Sequence, residues 1–549
     1  MTVHRKHGTV ANAAARHQSL LTHLGLALLA YVPFLLSAPG KVSADTKQYL
    51  YLNPGRLLSR AAYLWDPNMG SGTVTHQNIG YLFPMGPYYW LTQQLGVSDW
   101  IAQRIWLGSI TFAAGAGVLF LLRELDWRGA GATVAALAYM LTPYPLAYTA
   151  RISAILLPWG ALGWMVGLAI RSVRRRDWRS PALFALVTVM VGGTNATSLL
   201  FAGVAPVLWI VFAVFVEREA TLRQAFGATM RIFVLVLVTA FWWIAGLSLQ
   251  GAYGLPVLNF TETVKTVATA SSPPEVLRGL GNWFFYGRDG VGPWIEQSVG
   301  YTQQLWLIIV SFAIPILVFI AASVTRWRHR AYFVALVLIG MMIAVGPFPY
   351  GDPSLLGRLF KAFASGSSAG LALRSTPRSV PLIALGSAVL LGSGVAALWQ
   401  KRPRAGLVSA VLVGVLVVAN LPAAWGADYI GENLERPGQI PSYWTDAAQS
   451  LDRGSHDTRV LEIPGSDFSS YRWGNTVDPI TPGLMDRPYV ERELIPFGSQ
   501  ASADLLIAFD HRLQEGTDES ASVAPVSRLL SAGDVLLRSD LQYERYRTP

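Results

Sequence analysis

Residues 303–330 read QQLWLIIVSFAIPILVFIAASVTRWRHR, in which an uncharged apolar run is followed by three arginines. A helix of about 20 apolar residues crosses the hydrocarbon core of a bilayer, and arginines gather where such helices reach the cytoplasm. The same pattern recurs along the chain. It predicts a polytopic α-helical membrane protein with eleven transmembrane helices, at roughly 19–38, 101–122, 130–148, 152–170, 181–195, 198–216, 232–250, 303–323, 331–347, 379–399 and 405–424.

The composition agrees with this prediction. Of the 549 residues, 52% are hydrophobic and 14% are charged, whereas an ordinary soluble domain has about 25% charged residues. Soluble globular enzymes and disordered chains are therefore both excluded as classes. The sequence has no cysteine, which excludes disulfides, cysteine-ligated zinc and thiol nucleophiles.

Basic residues predict the orientation in the membrane. The net charge of +10 would indicate nucleic-acid binding in a soluble protein, but here the charge follows the connections between helices. Alternate connections between the predicted spans together contain 16 Lys and Arg residues; they are the five segments 123–128, 171–179, 217–231, 326–330 and 401–404. The N-terminal tail adds three more. We therefore expect a plasma-membrane protein with a cytoplasmic N-terminus, outer loops 39–100, 251–302 and 348–378, and no nucleic-acid partner.

The last part of the chain has a different character. Residues 423–549 contain 20 acidic and 11 basic residues, and turn-forming Pro and Gly recur between short apolar stretches. We predict two domains, a transmembrane catalytic domain over 1–424 and a soluble extracytoplasmic α+β module over 425–549. Because the sequence ends without a helix stop or a tail, we expect this module to be truncated.

Carboxylates are scarce in the membrane part, and their positions separate functional classes. Residues 1–422 contain 13 acidic residues, none of them inside a predicted span. Ion-coupled transporters hold carboxylates at mid-membrane, so outward-facing chemistry at the membrane surface is the better hypothesis. Asp45 lies just after the first span, where it could take a proton from a sugar hydroxyl. An ordinary helix-end acid is the alternative for this residue.

The first outer loop carries further polar motifs. Residues 47–64 mix Leu and Tyr with basic residues and predict an interfacial helix that is kinked or restarted at Pro54. Trp65-Asp66-Pro67 and His76-Gln77-Asn78 follow. Asp66 before Pro67 is typical of a turn, with an acid or metal role as the alternative, and His76 with Gln77 fits a loop cap as well as a substrate contact.

Ala44-Asp45-Thr46-Lys47, Tyr49-Leu50-Tyr51-Leu52, Trp65-Asp66-Pro67 and His76-Gln77-Asn78-Ile79-Gly80-Tyr81 occur in this order. With the span count and the outer soluble part, they resemble the GT-C glycosyltransferases, and specifically the α-(1→3)-arabinofuranosyltransferase D family of mycobacterial-type cell envelopes. The resemblance implies inverting transfer of arabinofuranose from decaprenyl-phosphoryl-arabinose onto arabinan of arabinogalactan or lipoarabinomannan. By the family pattern Asp45 matches the catalytic base. Family members have a much longer C-terminus, so a short form or a fragment is expected.

A lipid-phosphate leaving group needs fixed positive charge on the outer side. The candidates are Lys47, Arg151, Arg374 and Arg378, each of which could instead be a snorkelling interfacial residue. Asp66, His76 and Gln77 are further candidate substrate contacts. A lone histidine without a spaced partner predicts no metal site, although a divalent cation stays open as a cofactor.

Other functions remain compatible with this sequence. A mannosyl-type or other polyprenyl-phosphate-sugar transferase would have the same architecture, and a lipid or glycolipid transporter or a scaffold belongs to a different class. The expected partners are the decaprenyl-phosphate-linked arabinose donor, the arabinan acceptor and the lipid bilayer. An acidic protein partner would match the charge of the cytoplasmic loops, but no motif supports one.

Overall fold

The structure is a computed structural model that describes the backbone of residues 4–75 and 78–546 and the side chains from residue 17 onward within those ranges. The first helices are α1 His4–Leu36, α2 Tyr49–Leu52, α3 Pro54–Ala61, α4 Met85–Gln94, α5 Asp99–Glu124, α6 Ala130–Met140 and α7 Leu146–Thr149. Next come α8 Leu157–Arg175, α9 Arg179–Gly192, α10 Ala196–Phe215, α11 Leu222–Tyr253, α12 Val264–Ala268, α13 Pro273–Leu277, α14 Ser298–Gln303, α15 Leu305–Val324 and α16 Arg330–Val345. The last are α17 Leu355–Gly366, α18 Ser368–Ala372, α19 Val380–Lys401, α20 Pro403–Ala419, α21 Pro422–Trp425, α22 Ser442–Asp452, α23 Thr481–Leu484, α24 Gln500–Gln514, α25 Ser520–Leu529 and α26 Tyr543–Tyr546.

Within the described residues, nine short strands accompany these helices: β1 Lys41–Ser43, β2 Trp65–Asp66, β3 Thr73–Val74, β4 Glu435–Pro437, β5 Arg459–Ile463, β6 Ser469–Tyr471, β7 Gly474–Val477, β8 Tyr489–Val490 and β9 Ala532–Leu537. They form three antiparallel pairs, β1–β4, β2–β3 and β6–β7, and one parallel sheet in the order β8-β5-β9. The α+β character expected after residue 425 is present.

The helical membrane architecture is confirmed. Seven of the described helices are long and apolar enough to cross a membrane, and four shorter apolar helices occupy the remaining predicted spans. The segment 153–175 has 94% of its apolar window buried, whereas 222–253 has 17%. Exposed Phe233, Val238 and Phe241 on α11 form a surface that suits lipid rather than water. The chain is therefore a multi-pass membrane protein with inner and lipid-facing helices.

The third predicted span is shorter than expected. Helix α6 ends at Met140, and the short α7 begins at Leu146. Pro143 and Pro145 lie between them, where proline removes a backbone donor and disfavours the helical conformation of the preceding residue. The expectation of one helix running through residue 148 is therefore wrong.

Two stretches of small residues lie between consecutive helices and supply their caps. Asn195 caps α10 by accepting a hydrogen bond from the Ser198 N–H. In the third outer loop, Ser367 caps α18 directly after α17 ends at Gly366. The side-chain oxygens of these caps satisfy backbone donors that a helix start leaves free.

In the first outer loop, the interfacial helix restarts at Pro54, as predicted. Pro54 occupies the first turn of α3, and the Asn53 side chain accepts a hydrogen bond from the Arg56 N–H. Leu57 of this helix is buried, and Arg56 pairs with Asp486 at 2.8 Å. One face of the amphipathic helix is thus covered by protein, including the C-terminal part of the chain.

The inner helices approach each other closely where glycines face. A Cβ atom added at Gly392 of α19 would overlap the carbonyl oxygen of Gly131 on α6, whereas a Cβ atom at Gly414 would meet nothing within 4 Å. We expect Gly392→Ala to lower the melting temperature of the detergent-solubilised protein, since overpacking costs about 1–3 kcal/mol. Gly414→Ala is the matched control and should be neutral or stabilising. Equal melting temperatures for the two variants would contradict this packing.

Candidate active site

Asp45 is held in place by backbone contacts on both sides. Strand β1 ends two residues before it, and Lys41–Ser43 pairs antiparallel with Glu435–Pro437. The Ser43 N–H donates to Gln103 Oε1 at 2.9 Å, and the Ala44 N–H donates to the Leu434 carbonyl at 2.8 Å. The carboxylate therefore lies where helix α5, the first outer loop and the C-terminal part of the chain meet.

The Asp45 carboxylate is fully buried and hydrogen-bonded. The Ser153 N–H donates to Oδ1 at 2.6 Å, while the Ser153 hydroxyl at 2.5 Å and the Tyr51 hydroxyl at 2.9 Å donate to Oδ2. Burial raises the pKa of Asp45 to about 6, because desolvation outweighs these stabilising hydrogen bonds. A carboxylate with a pKa near the working pH suits a general base.

Lys47 lies two residues further along and pairs with a residue from the C-terminal part. Its Nζ atom is 3.6 Å from Asp478 Oδ2. The negative charge of Asp478 also helps to raise the pKa of Asp45. Thr46 and Val477, which adjoin the two carboxylates, have φ angles of 49° and 60°. β-Branched residues rarely adopt this left-handed conformation, and such strain is concentrated at functional sites.

The backbone of Arg151 lies next to that of Asp45, and the Arg151 guanidinium has no acidic partner among the described residues. Its carbonyl accepts a hydrogen bond from the Thr46 N–H at 2.5 Å. Its guanidinium carbon is 4.3 Å from the ring centre of Phe284 and 4.9 Å from that of Phe468. Burial lowers the pKa of Arg151, and within the described ranges no carboxylate lies at ion-pair distance from it. The cation is thus held between two aromatic rings and is available to an anion.

Arg374 and Arg378 form a second basic group around Glu262. Arg374 donates to the Glu262 carbonyl at 2.5 Å, to the Leu371 carbonyl at 2.8 Å and to the Thr261 hydroxyl, so all three of its nitrogens are engaged. Arg378 is 3.9 Å from Glu262 Oε1, and its buried Nε atom has no hydrogen-bond partner among the described residues. Arg378 is therefore less fully committed to structure than Arg374.

The two basic groups border the same short segment of the second outer loop. Asn282 donates to the Tyr148 hydroxyl at 2.6 Å, and Phe284 contacts Arg151. Tyr148 packs against Tyr144 with ring centres 5.2 Å apart. Helix α7 covers only Leu146–Thr149, so the two tyrosines and Arg151 do not lie on one continuous helix. Because Tyr148 is within electrostatic reach of Arg378, residues 282–284 connect the surroundings of Arg151 with those of Arg378.

Asp66 has a local role in the first loop. It is buried, and its Oδ1 atom accepts a hydrogen bond from the Asn68 N–H at 2.8 Å. This is the side-chain turn that an aspartate before a proline favours, and no hydrogen bond joins Asp66 to Asp45 in the part of the chain that the structure describes. His76 and Gln77, the other two candidates in this loop, lie outside the described residues. Within those residues no group of three or more His, Cys, Asp or Glu side chains is placed to hold a metal ion.

Several charged residues near the site escaped the sequence analysis. Arg538 contacts both Glu491 and Glu462, the latter at 3.6 Å, and all three side chains are buried. Burial also raises the pKa of Glu493, which is within electrostatic reach of Lys47 and Asp478. The repeated acid in Glu491-Arg492-Glu493 after an apolar pair was a local signal for these carboxylates, but nothing in the sequence pairs Asp478 with Lys47.

Known proteins resemble this chain over nearly its whole length. The model of the family described as alpha-(1->3)-arabinofuranosyltransferase, N-terminal GT-C domain, matches residues 29–549. An alpha-(1->3)-arabinofuranosyltransferase from Mycolicibacterium smegmatis is 30% identical over 542 residues, and the protein of the same name from Mycobacterium tuberculosis is 28% identical over 538 residues. Each alignment covers 93% of this chain, and they cover 36% and 37% of the respective relatives.

A solved structure shares the fold. The single-particle cryo-EM structure of arabinofuranosyltransferase AftD from Mycobacteria has a TM-score of 0.75 at 23% identity, over 95% of this chain and 35% of that chain. The membrane architecture is thus of the GT-C type. The chain spans little more than a third of the length of the curated relatives that it matches.

Proposed function

Because the chain belongs to the family of N-terminal GT-C domains of α-(1→3)-arabinofuranosyltransferases, we propose that it transfers arabinofuranose from decaprenyl-phosphoryl-arabinose to an arabinan acceptor, forming an α-(1→3) linkage. The observation that carries this proposal is a buried carboxylate, Asp45, on a segment whose backbone is hydrogen-bonded to the backbone of Arg151, a cation with no carboxylate at ion-pair distance among the described residues. These groups supply a base and a phosphate partner on adjoining segments. Single displacement at a sugar carbon needs both, whereas glycosidases use paired carboxylates.

In this mechanism Asp45 removes the proton of the attacking hydroxyl. The acceptor oxygen bonds to the anomeric carbon, the bond from that carbon to the phosphate oxygen breaks, and its electron pair leaves with the decaprenyl phosphate. A carboxylate can accept about four hydrogen bonds, and from the described residues Asp45 accepts three, one of them at Oδ1. The acceptor hydroxyl therefore takes the remaining position on Oδ1, which requires the buried carboxylate to become accessible when the acceptor binds.

Among the four candidate cations, Arg151 is the preferred ligand of the leaving phosphate. Arg151 has no competing carboxylate among the described residues, whereas Lys47 is paired with Asp478 and Arg374 is bonded to Glu262 and its neighbours. Arg378 is the second phosphate ligand, since only its distant contact with Glu262 opposes this role. Fixed cations stabilise the charge that develops on the leaving group without reorganisation during the reaction.

The active site and the acidic C-terminal module over 425–549 face outward, and the N-terminus lies in the cytoplasm. This orientation is supported by the arginine-rich connections, because the alternation of predicted spans puts them on the opposite side of the membrane from the first loop. Some of their charge is neutralised locally: Arg171 pairs with Glu124, and Arg174 lies 3.2 Å from Glu219. Exposed Arg175 and Arg176 remain for anionic lipid or an acidic partner.

The orientation can be tested by cysteine labelling, because the sequence has no cysteine of its own. We expect Asp352→Cys, in the third outer loop, to react with a membrane-impermeant maleimide in intact spheroplasts. Arg175→Cys should react only after the membrane has been opened. Labelling in the reverse order would overturn the proposed orientation.

Asp45→Asn is the direct test of the base. General-base catalysis contributes about 10²–10⁴-fold, so we expect transfer from the lipid-linked donor in membranes to fall at least a hundredfold. The wild-type rate should fall as the pH drops through about 6, because a protonated Asp45 cannot accept the proton. Exposed Asp352→Asn is the control and should keep full activity. Near-wild-type transfer by Asp45→Asn would rule out this mechanism.

Arg151→Gln tests the phosphate ligand. A hydrogen bond to a charged group is worth about 1.5–3 kcal/mol, so we expect transfer efficiency to fall about tenfold or more, with normal folding in a thermal-shift assay. Arg374→Gln should instead lower the melting temperature, because it removes bonds to the Glu262 and Leu371 carbonyls. Unchanged donor use by Arg151→Gln would assign the phosphate to another cation.

A further inference from the structure

The β6–β7 hairpin connects the candidate active site with a group of aromatic residues near the turn of the hairpin. At its start, the Phe468 ring lies against the Arg151 guanidinium, and at its end Asp478 is 3.6 Å from Lys47 Nζ. The turn of the hairpin carries Trp473, five residues before Asp478. At about 3.3 Å per residue, that separation is at most about 17 Å, which is within the reach of a chain of several sugars.

Trp473 is a partly exposed aromatic residue at this turn. Its ring stacks on buried Tyr471 with centres 4.8 Å apart and planes 11° apart. The residue as a whole is only half-buried, so part of the Trp473 side chain is accessible. Tyr443, whose side chain shares a hydrogen-bond partner with Trp473, is 52% exposed. Flat aromatic faces of this kind suit the C–H faces of a sugar ring.

Asp540 holds these aromatic side chains in place. Its Oδ2 atom accepts hydrogen bonds from Trp473 Nε1 at 2.9 Å, Trp444 Nε1 at 2.8 Å and the Tyr443 hydroxyl at 2.9 Å. Its Oδ1 atom has no donor within the described part of the chain, and the residue is half-buried. The carboxylate therefore keeps an acceptor oxygen for a hydroxyl group beside a rigid aromatic surface.

We propose that Trp473, Tyr443 and Asp540 form a subsite for the distal sugars of the acceptor glycan. This inference rests on the proposed function, because it places the growing end of the same glycan at Asp45. The sugar faces stack on Trp473 and Tyr443, and a hydroxyl donates to Asp540 Oδ1. A few polar groups beside apolar surface are the usual composition of such sites. The subsite makes the protein prefer long acceptors over short ones.

The test compares two acceptors on the full chain in detergent, a linear arabinofuranoside oligosaccharide and the corresponding disaccharide. We expect Trp473→Ala to raise KM for the oligosaccharide about tenfold, the effect of losing about 1.4 kcal/mol of contact, and to leave both constants for the disaccharide unchanged. Trp473→Phe should recover part of the loss. Trp425→Ala is the matched control, since Trp425 is 60% exposed and lies on α21.

Further measurements separate this inference from a structural role and from the proposed function. Tyr443→Ala removes a largely exposed side chain and should raise the same KM even if Trp473→Ala lowers the melting temperature. An equal loss with both acceptors, or no loss with either, would overturn the subsite. Binding of a fluorescein-labelled arabinofuranoside oligosaccharide, measured without donor, decides the subsite even if no donor is consumed. Binding that is absent, or that is unchanged in Trp473→Ala, would also overturn it.

Discussion

The pairing of Lys41–Ser43 with Glu435–Pro437 is the contact on which the candidate site depends. This pairing joins the first residues of the first outer loop to a segment almost four hundred residues later in the chain. Buried Arg104 of α5 reinforces this connection by donating to the carbonyls of Ser37 and Lys41 at 3.2 and 2.9 Å. Hydrogen bonds from the N–H groups of Ala44 and Thr46 fix the backbone on either side of Asp45, and bonds from Ser153 and Tyr51 orient its carboxylate.

Burial has opposite consequences for the charged groups of the site. It raises the pKa of the Asp45 carboxyl to about 6 and lowers the pKa of the Arg151 guanidinium, since desolvation disfavours the charged form of both groups. The Asp45 carboxylate remains supported by hydrogen bonds from Ser153 and Tyr51, whereas Arg151 is supported by aromatic rings. A negatively charged phosphate would therefore pair with a cation that has no carboxylate partner among the described residues, which makes its binding favourable without displacing an ion pair seen there.

The C-terminal part of the chain contributes residues to the candidate site. It supplies Phe468 to Arg151 and Asp478 to Lys47, and both residues flank one hairpin. A second set of contacts ties the same part to the first loop, because Arg56 pairs with Asp486 and Arg459 donates to the Gly70 carbonyl at 3.0 Å. The site is consequently built between the two halves that the sequence separates, and the domain boundary near residue 424 remains a prediction.

The sequence by itself determined the membrane architecture, because length and apolarity of a helix are local properties that a run of residues carries without reference to its neighbours. It also singled out Asp45, through the scarcity of carboxylates and the ordered motifs of the first loop. It erred at α6, where Pro143 and Pro145 outweigh the apolar pattern. Only the tertiary structure joined Asp45 to Ser153, brought Asp478 to Lys47, and distinguished Arg374, which is bonded to Glu262, from Arg151, which has no carboxylate partner in the described part of the chain. Those relations depend on contacts between residues more than one hundred positions apart, which no periodicity or spacing along the chain encodes.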